Sequence, residues 1–219
     1  MNTKKFAFVS DFDGTLTHKD FYQMIIDDYM GEKGKELYKA WRRNEFKDRD
    51  FLHQIYSSIN RNEAEILEDI LRIEWDETAD KVIEAIQKAG GDFIILSAGT
   101  SYYIERLLKH KGLGHIKVYS NPGEYREYGI HLSIDESSPF FSDLYGIDKS
   151  KVLSEIKKQY DYVYYAGDSA PDIPPCRLAD TCFAKSALQE MLRQKNIPFI
   201  PMTNYEDIGN ALKDKGVLS

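Results

Sequence analysis

Residues 6–17 read FAFVSDFDGTLT, and this stretch decides the fold. Its largely apolar start predicts a buried strand, and Asp11, Asp13 and Gly14 follow directly. We predict that the two carboxylates lie beyond the carboxyl end of a parallel sheet, where open α/β sheets bind ligands. Carboxylates this close repel each other unless they share a cation or a proton. The stretch therefore predicts a charged site at the edge of a buried sheet.

Further short apolar runs, separated by helical patterns, predict a parallel sheet that is covered on both faces. The predicted strands are Phe6–Ser10, Phe93–Ser97, Ile116–Tyr119, Tyr162–Ala166, Thr181–Ala184 and Pro198–Ile200. Predicted helices over 76–89, 102–111 and 151–159 repeat their apolar residues at helical spacing. The pattern indicates an α/β fold whose core is a doubly wound, Rossmann-like parallel sheet.

Residues 18–74 depart from this alternation of strands and helices. They are rich in charged residues and have apolar residues at helical spacing, but they contain no predicted strand. A crossover between neighbouring strands is usually far shorter than this segment. We therefore predict a helical cap domain of residues 18–74, inserted into a catalytic core of residues 1–17 and 75–219. Residues 121–133 have turn signals between alternating residues and predict a small hairpin or flap.

Composition narrows the possible partners and locations. The chain has 219 residues, 42% of them hydrophobic and 30% charged, which is typical of a globular protein. Its formal net charge of -7 argues against binding to nucleic acid or to an anionic membrane. No apolar run has the length of a signal peptide or a membrane span. We predict a cytoplasmic monomer or homodimer with Cys176 and Cys182 as free thiols.

Two further carboxylates follow another predicted strand. Residues 164–172, YYAGDSAPD, place Asp168 directly after the strand and Asp172 four residues later. Together with Asp11 and Asp13, they bring up to four carboxylates to one edge of the sheet. Such a set of acids is suited to a hard cation, and we predict that this cation is Mg²⁺. The sequence therefore predicts a metal site at this edge.

A third predicted strand ends in ILSAGT, residues 95–100, and leads directly into a helix. The Ser97 hydroxyl and the backbone N–H groups of Ala98 and Gly99 are suited to binding phosphate. Lys149 stands just before another predicted helix and adds a cation. Singly, Ser97 also fits a helix cap and Lys149 a surface lysine. Together, the four motifs in this order favour one site.

The motifs DFDGTLT (11–17), ILSAGT, Lys149 and GDSAPD (167–172) resemble the four ordered motifs of the haloacid dehalogenase superfamily of phosphohydrolases. The insertion between the first two motifs is similar to that of the phosphoserine phosphatase-like branch. LSAGTSYYIERLL (96–108) resembles the version found in methionine-salvage phosphatases that act on 2-hydroxy-3-keto-5-methylthiopentenyl-1-phosphate. The resemblance spans essentially the whole chain.

The resemblance implies a Mg²⁺-dependent hydrolase of a small phosphorylated metabolite. Asp11 would attack phosphorus and form an aspartyl-phosphate. Asp13 would protonate the leaving oxygen and then activate water. Mg²⁺ would be held by Asp11, the backbone carbonyl of Asp13 and Asp168, with Asp172 in support. The phosphoryl oxygens would be bound by Ser97, Ala98, Gly99 and Lys149.

The resemblance leaves the substrate open. Asp20 stands where the phosphoserine enzymes of this branch have an acid that binds substrate, although it also fits a helix N-cap. No arginine occupies the place of their carboxylate-binding arginine, and Arg49 is the nearest candidate. We therefore rank phosphoserine below other small phosphomonoesters. A cysteine-containing segment that we associate with some methionine-salvage relatives is also absent.

Two other classes fit parts of the pattern. Phosphorelay receiver domains also place paired acids, a hydroxyl and a lysine around Mg²⁺, but they are about half as long and have no helical insertion. A catalytically idle relative that binds a phosphometabolite or a partner protein would keep the same site. Only a measurement of turnover distinguishes this idle relative from an active enzyme.

Overall fold

The computed structural model describes residues 5–219, which form two compact units. The first unit consists of the residues up to His18, Glu74–Leu96 and Lys149–Ser219. The second consists of Lys19–Ile73 and Ser97–Asp148. The predicted cap thus corresponds to only part of the second unit, and its function as a cap stays a prediction.

Six strands form one sheet, in the order β10-β9-β8-β1-β2-β3. The strands of residues 5–219 are β1 (Phe6–Ser10), β2 (Asp92–Thr100), β3 (Lys117–Asn121), β4 (Gly123–Arg126), β5 (Gly129–Leu132), β6 (Phe141–Ser142), β7 (Gly146–Ile147), β8 (Tyr162–Gly167), β9 (Thr181–Ala184) and β10 (Ile200–Pro201). The pairs β1–β2, β1–β8, β8–β9 and β9–β10 are parallel. The predicted α/β class with a Rossmann-like parallel sheet is confirmed.

Helices connect these strands and make up much of the second unit. They are α1 (Phe21–Ile25), α2 (Gly31–Arg42), α3 (Asp48–Ser57), α4 (Glu63–Leu71), α5 (Ala79–Lys88), α6 (Ser101–His110), α7 (Lys149–Lys157), α8 (Ile173–Leu178), α9 (Ser186–Gln194) and α10 (Tyr205–Asp214). A π-helical turn (Ile26–Met30) follows α1, and a 3₁₀ turn (Ala170–Asp172) precedes α8. As predicted, residues 18–74 contain helices and no strand longer than an isolated bridge.

Strand β1 lies at the centre of the first unit, and all five of its residues are buried. Phe8 is in register with Phe93 on one side and with Tyr164 on the other. Its ring stacks on that of Phe93, with centroids 5.6 Å apart, and on that of Tyr164 at 6.1 Å. Burying an aromatic side chain of this size stabilises the fold by about 1.5–3 kcal/mol. The packing therefore fixes the strand whose end carries the first motif.

The chain first leaves the first unit after His18 and returns to it at Glu74, and these two points lie next to each other. Thr17 and Trp75 form an isolated antiparallel bridge. The His18 N–H donates to the carbonyl of Glu74 at 2.9 Å. The two connecting segments are therefore paired with each other before the intervening chain begins.

The second unit contains the predicted hairpin. Strands β4 and β5 pair in antiparallel fashion around Glu127 and Tyr128, which have φ values of 50° and 63°. Two central residues with positive φ match the twist of a two-residue hairpin. The prediction for residues 121–133 is therefore confirmed. The β6–β7 pair was not predicted, because strands of two residues carry no periodicity.

The cysteines are joined in a disulfide, so the prediction of free thiols is wrong. Helix α8 holds Cys176, and the chain turns back through Ala179, whose backbone is extended. This turn brings Cys182 of β9 against the helix, with 5.1 Å between the two Cα atoms. The sequence separation alone did not indicate that these elements pack together.

No helix in the described part of the chain, residues 5–219, has the length and apolar character needed to cross a membrane. The longest, α2, has 12 residues, whereas a spanning helix needs about 20. The cytoplasmic location and the monomer or homodimer stay predictions.

Candidate active site

The first motif leaves the sheet at Asp11. Its backbone N–H still pairs with the carbonyl of Ala166 in β8, at 2.9 Å, which extends the ladder one residue past β1. The N–H groups of Leu16 and Thr17 then donate to the carbonyl of Phe12, at 2.9 and 3.1 Å, and close a tight turn. This turn fixes the first aspartate at the carboxyl edge of the sheet, beside the end of β8.

Three carboxylates meet at this edge. One oxygen from each of Asp11, Asp168 and Asp172 lies within 4.8 Å of the others. The Lys149 Nζ, at the start of α7, donates to an oxygen of Asp11 and to one of Asp172, at 2.7 Å each. Three acids and one ammonium leave an excess of negative charge in a largely buried place. This donor set suits a hard divalent cation with oxygen ligands.

The electrostatics of the cluster favour binding of a cation. Burial raises the pKa of the Asp11 carboxyl well above its usual range, and the Asp172 carboxylate raises it further. The Lys149 ammonium opposes this rise. Burial disfavours the charge on Lys149, but the carboxylates of Asp11 and Asp172 raise its pKa, so that it stays protonated. A bound cation would therefore favour the ionised form of Asp11.

The turn that follows β8 places the other two acids. The N–H groups of Asp168 and Ser169 both donate to Oδ2 of Asp172, at 3.1 Å. A Cβ on Gly167 would lie 2.4 Å from the carboxyl carbon of Asp172. Gly167 therefore gives Asp172 the room to reach back under the turn.

Gly14 makes comparable room for Asp168. Its φ is +73°, and a Cβ at this position would lie 2.5 Å from Oδ2 of Asp168. Glycine is the residue that adopts this backbone conformation at little cost. The first motif therefore needs its glycine both for the turn and for the close approach of an acid.

We expect Gly14→Ala to weaken binding of a divalent cation, because the added methyl group must displace the Asp168 carboxylate. The left-handed backbone adds a cost of about 1–2 kcal/mol for a residue with a Cβ. Gly216→Ala is the matched control, since Gly216 has a φ of +68° and nothing within 4 Å of its Cβ position. Calorimetric titration with Mg²⁺ and urea unfolding of both variants would separate the two effects. Equal Mg²⁺ affinities would contradict the expectation.

Several residues that support Asp11 were not predicted from the sequence. The Ser10 hydroxyl donates to the carbonyl of Asp11 at 2.6 Å, and the hydroxyl of Tyr205 in α10 hydrogen-bonds to Ser10. The Thr15 hydroxyl donates to Oδ2 of Asp11 at 3.4 Å. Residues 10 and 205 are far apart in the sequence, and no local pattern connects them. A buried tyrosine needs a partner for its hydroxyl, which was the one available signal.

Three of the predicted phosphate-binding residues, Ser97, Ala98 and Gly99, belong to the second unit. The fourth, Lys149, belongs to the first unit, together with the acids Asp11, Asp13, Asp168 and Asp172. In the second unit, the Ser97 hydroxyl is buried and accepts a hydrogen bond from the N–H of Gly99 at 3.0 Å. The Ala98 carbonyl accepts one from the side chain of Asn121 at 2.8 Å. Helix α6 is capped by Thr100, so Ser97 is not its cap. The phosphate-binding role of residues 97–99 stays a prediction.

Asp20 is also in the second unit. It is the N-cap residue of α1, but its side chain makes no capping hydrogen bond. Burial raises the pKa of the Tyr22 hydroxyl, and the neighbouring Asp20 raises it further. The Asp20 carboxylate therefore lies near a tyrosine hydroxyl, and its contact with substrate stays a prediction.

Known proteins are similar to this chain in sequence and in fold. The family model of haloacid dehalogenase-like hydrolases matches residues 8–177, which include all the acids of the cluster. The 2-hydroxy-3-keto-5-methylthiopentenyl-1-phosphate phosphatase of Bacillus cytotoxicus is 24% identical over 215 residues, covering 93% of this chain and 94% of that protein. The enzyme of that name from Bacillus mycoides is 24% identical over 213 residues, with the same coverage.

Solved structures agree with this assignment at the level of the fold. A substrate-bound phosphoserine phosphatase has a TM-score of 0.70 at 16% identity, over 95% of this chain and 97% of that chain. A phosphoserine phosphatase with a phospho-aspartyl intermediate analogue has a TM-score of 0.68 at 18% identity, over 95% and 98%. Since the family model spans most of the chain and its acids meet at the expected edge of the sheet, the chain belongs to the haloacid dehalogenase-like hydrolases.

Proposed function

We propose that the chain is a Mg²⁺-dependent phosphomonoesterase that hydrolyses a small phosphorylated metabolite through an aspartyl-phosphate. The observation that carries the proposal is the position of the Lys149 Nζ, 2.7 Å from Asp11 and 2.7 Å from Asp172, in a cluster that also holds Asp168. Phosphoryl transfer needs a nucleophilic carboxylate, a cation that holds this carboxylate in place, and a set of acids that binds a metal ion. Family membership and the names of the relatives support the same reaction.

The reaction proceeds in two displacements. An oxygen of Asp11 attacks phosphorus, the bond from phosphorus to the ester oxygen breaks, and Asp13 donates a proton to that leaving oxygen. Asp13, now a carboxylate, takes a proton from water, whose oxygen attacks the aspartyl-phosphate and releases inorganic phosphate. Asp11 is regenerated as a carboxylate, and Asp13 is protonated for the next cycle.

Mg²⁺, when bound, supplies positive charge against the transferring phosphoryl group. The carboxylates of Asp11 and Asp168, with the backbone carbonyl of Asp13, would hold the ion, and Asp172 would support the site. Lys149 keeps Asp11 in place by one of its three N–H groups. Another bonds to Asp172, which leaves one N–H for a phosphoryl oxygen.

The remaining phosphoryl oxygens would be bound by the Ser97 hydroxyl and the N–H groups of Ala98 and Gly99. Strand β2 continues to Thr100 and leads directly into α6. Backbone N–H groups at such a strand-to-helix junction suit an anion. Asp20 is the proposed polar contact of the second unit with the rest of the substrate.

The substrate that we propose lacks a carboxylate. The one arginine considered for binding a substrate carboxylate, Arg49, donates to Glu136 at 2.9 Å and to Asp143 at 3.1 Å. Its guanidinium also lies over the ring of Phe141 at 5.2 Å. A guanidinium whose positive charge is already paired with two acids gains less from binding a further carboxylate. We therefore favour a carboxylate-free ester such as the substrate named for the Bacillus relatives, and rank phosphoserine below it.

The test is Mg²⁺-dependent phosphate release across a panel of small phosphomonoesters with and without a carboxylate. We expect turnover that requires both Mg²⁺ and Asp11, with kcat/KM about tenfold or more higher for the carboxylate-free esters, because a carboxylate would be desolvated without a partner. Fastest turnover of phosphoserine would contradict the proposed substrate class. Absence of release from every ester would favour the catalytically idle alternative.

A further inference from the structure

The Asp172 carboxylate accepts four hydrogen bonds from the protein, two at each oxygen. Its side chain is fully buried. As described above, two backbone N–H groups bond to Oδ2. Oδ1 accepts from the Lys149 Nζ at 2.7 Å and from the Tyr165 hydroxyl at 2.6 Å. A carboxylate has about four acceptor positions, so donors of the protein occupy all of them.

Tyr165 is the one side chain of this group that the proposed reaction does not use. It lies in β8, three residues before Asp168, and is fully buried. An ionised carboxylate only accepts hydrogen bonds, so the tyrosine must be the donor. Burial raises the pKa of the Tyr165 hydroxyl well above its usual range, and the Asp172 carboxylate raises it further. Its place in the predicted strand Tyr162–Ala166 indicates packing within the sheet, but not a partner for its hydroxyl.

We propose that Tyr165 is a positioning residue that limits how strongly the Asp172 carboxylate interacts with the metal ion and with Lys149. By donating to Oδ1, the hydroxyl keeps that oxygen from binding the metal ion directly and weakens its pull on Lys149. The lysine then stays between Asp172 and Asp11, with an N–H left for a phosphoryl oxygen. The proposal rests on the proposed phosphatase function, but its effect on metal binding can be measured without turnover.

The test compares Tyr165→Phe with Tyr164→Phe. Both substitutions remove one phenolic hydroxyl from β8, but the ring of Tyr164 packs against Phe8, and neighbouring strand residues face opposite sides of the sheet. For Tyr165→Phe we expect kcat to fall about 10- to 100-fold, as for loss of a hydrogen bond to a charged group. We expect Tyr164→Phe to leave kcat within about twofold of the unaltered protein.

The second readout is calorimetric titration of the substrate-free proteins with Mg²⁺. We expect Tyr165→Phe to bind Mg²⁺ about three- to tenfold more tightly, because Oδ1 of Asp172 gains a free acceptor position. Simple loosening of the site would weaken Mg²⁺ binding and lower kcat together. Weaker or unchanged Mg²⁺ binding would therefore overturn the proposal, as would an unchanged kcat.

A double-mutant cycle identifies the route of the effect. If Tyr165 acts through Asp172, the double variant Tyr165→Phe/Asp172→Asn turns over as slowly as Asp172→Asn alone. Effects on kcat that multiply would overturn the proposal. If the unaltered protein releases no phosphate from any ester, the proposed function fails, and Mg²⁺ affinity still tests Tyr165. The two failures are therefore distinguishable.

Discussion

Asp11→Asn is expected to lower kcat for phosphate release by about four orders of magnitude or more, the scale of losing a covalent nucleophile. The amide keeps the size of the side chain and can still accept the hydrogen bond from Lys149. It cannot attack phosphorus, so no covalent intermediate forms. Steady-state phosphate release at saturating Mg²⁺ measures the loss. Acid quenching followed by mass spectrometry shows whether a phosphorylated protein accumulates.

The stability of this variant provides the internal check. Burial raises the pKa of Asp11 well above its usual range and Asp172 raises it further, so ionising this carboxyl costs more in the folded protein than in water. A neutral side chain removes that cost, and urea unfolding without Mg²⁺ should show no loss of stability. Asp214→Asn, at the exposed end of α10, is the matched control for kcat. A rate for Asp11→Asn within about 100-fold of the unaltered protein would refute its role.

Lys149→Met is expected to impair both activity and stability. Loss of the ammonium removes a donor to the phosphoryl group, which we expect to lower kcat by about 10²- to 10³-fold. It also leaves Asp11 and Asp172 facing each other in a buried place, at a cost of about 3–5 kcal/mol in the metal-free protein. Mg²⁺ should restore part of this stability, because it replaces some of the missing positive charge. Urea unfolding with and without Mg²⁺ measures both parts.

Lys157→Met is the surface counterpart of this substitution. Lys157 pairs with Asp180 at 2.6 Å, but both side chains are about one-third exposed, at 32%. Pairs of this kind contribute about 0–1 kcal/mol. We expect kcat to stay unchanged in this variant and its stability to be independent of Mg²⁺. Equal stability losses at the two positions would mean that burial of Lys149 has no special electrostatic role.

The sequence predicted the elements whose signals are local. Strand β1 and the acids after it form one continuous pattern, and the parallel sheet then brings the ends of β1 and β8 together as a matter of geometry. The family resemblance is confirmed, and the family model matches residues 8–177, a range that includes all four motifs. The predicted strand at 198–200 is reduced to a pair of residues, Ile200–Pro201, because proline limits ladder bonding.

Features that depend on contacts between distant residues escaped prediction. One example is that residues 97–148 belong to the same unit as residues 19–73. Two others are the disulfide and the hydrogen bond between Tyr205 and Ser10. Tyr165 is instructive, because its strand position correctly indicates packing while its hydroxyl reaches Asp172. Side-chain period gives the face of a strand on which a residue lies, but it does not give the partner of its polar end.

The pairing of Thr17 with Trp75, and of His18 with Glu74, has a consequence for how this protein can change in evolution. The ends of the segment of residues 19–73 are already joined, so any flexible connection between them would be a closed loop. Lengthening such a loop is inexpensive, at about 0.6 kcal/mol for each doubling. We therefore expect this junction to accept connections of different length while the register of β1 against β2 is retained.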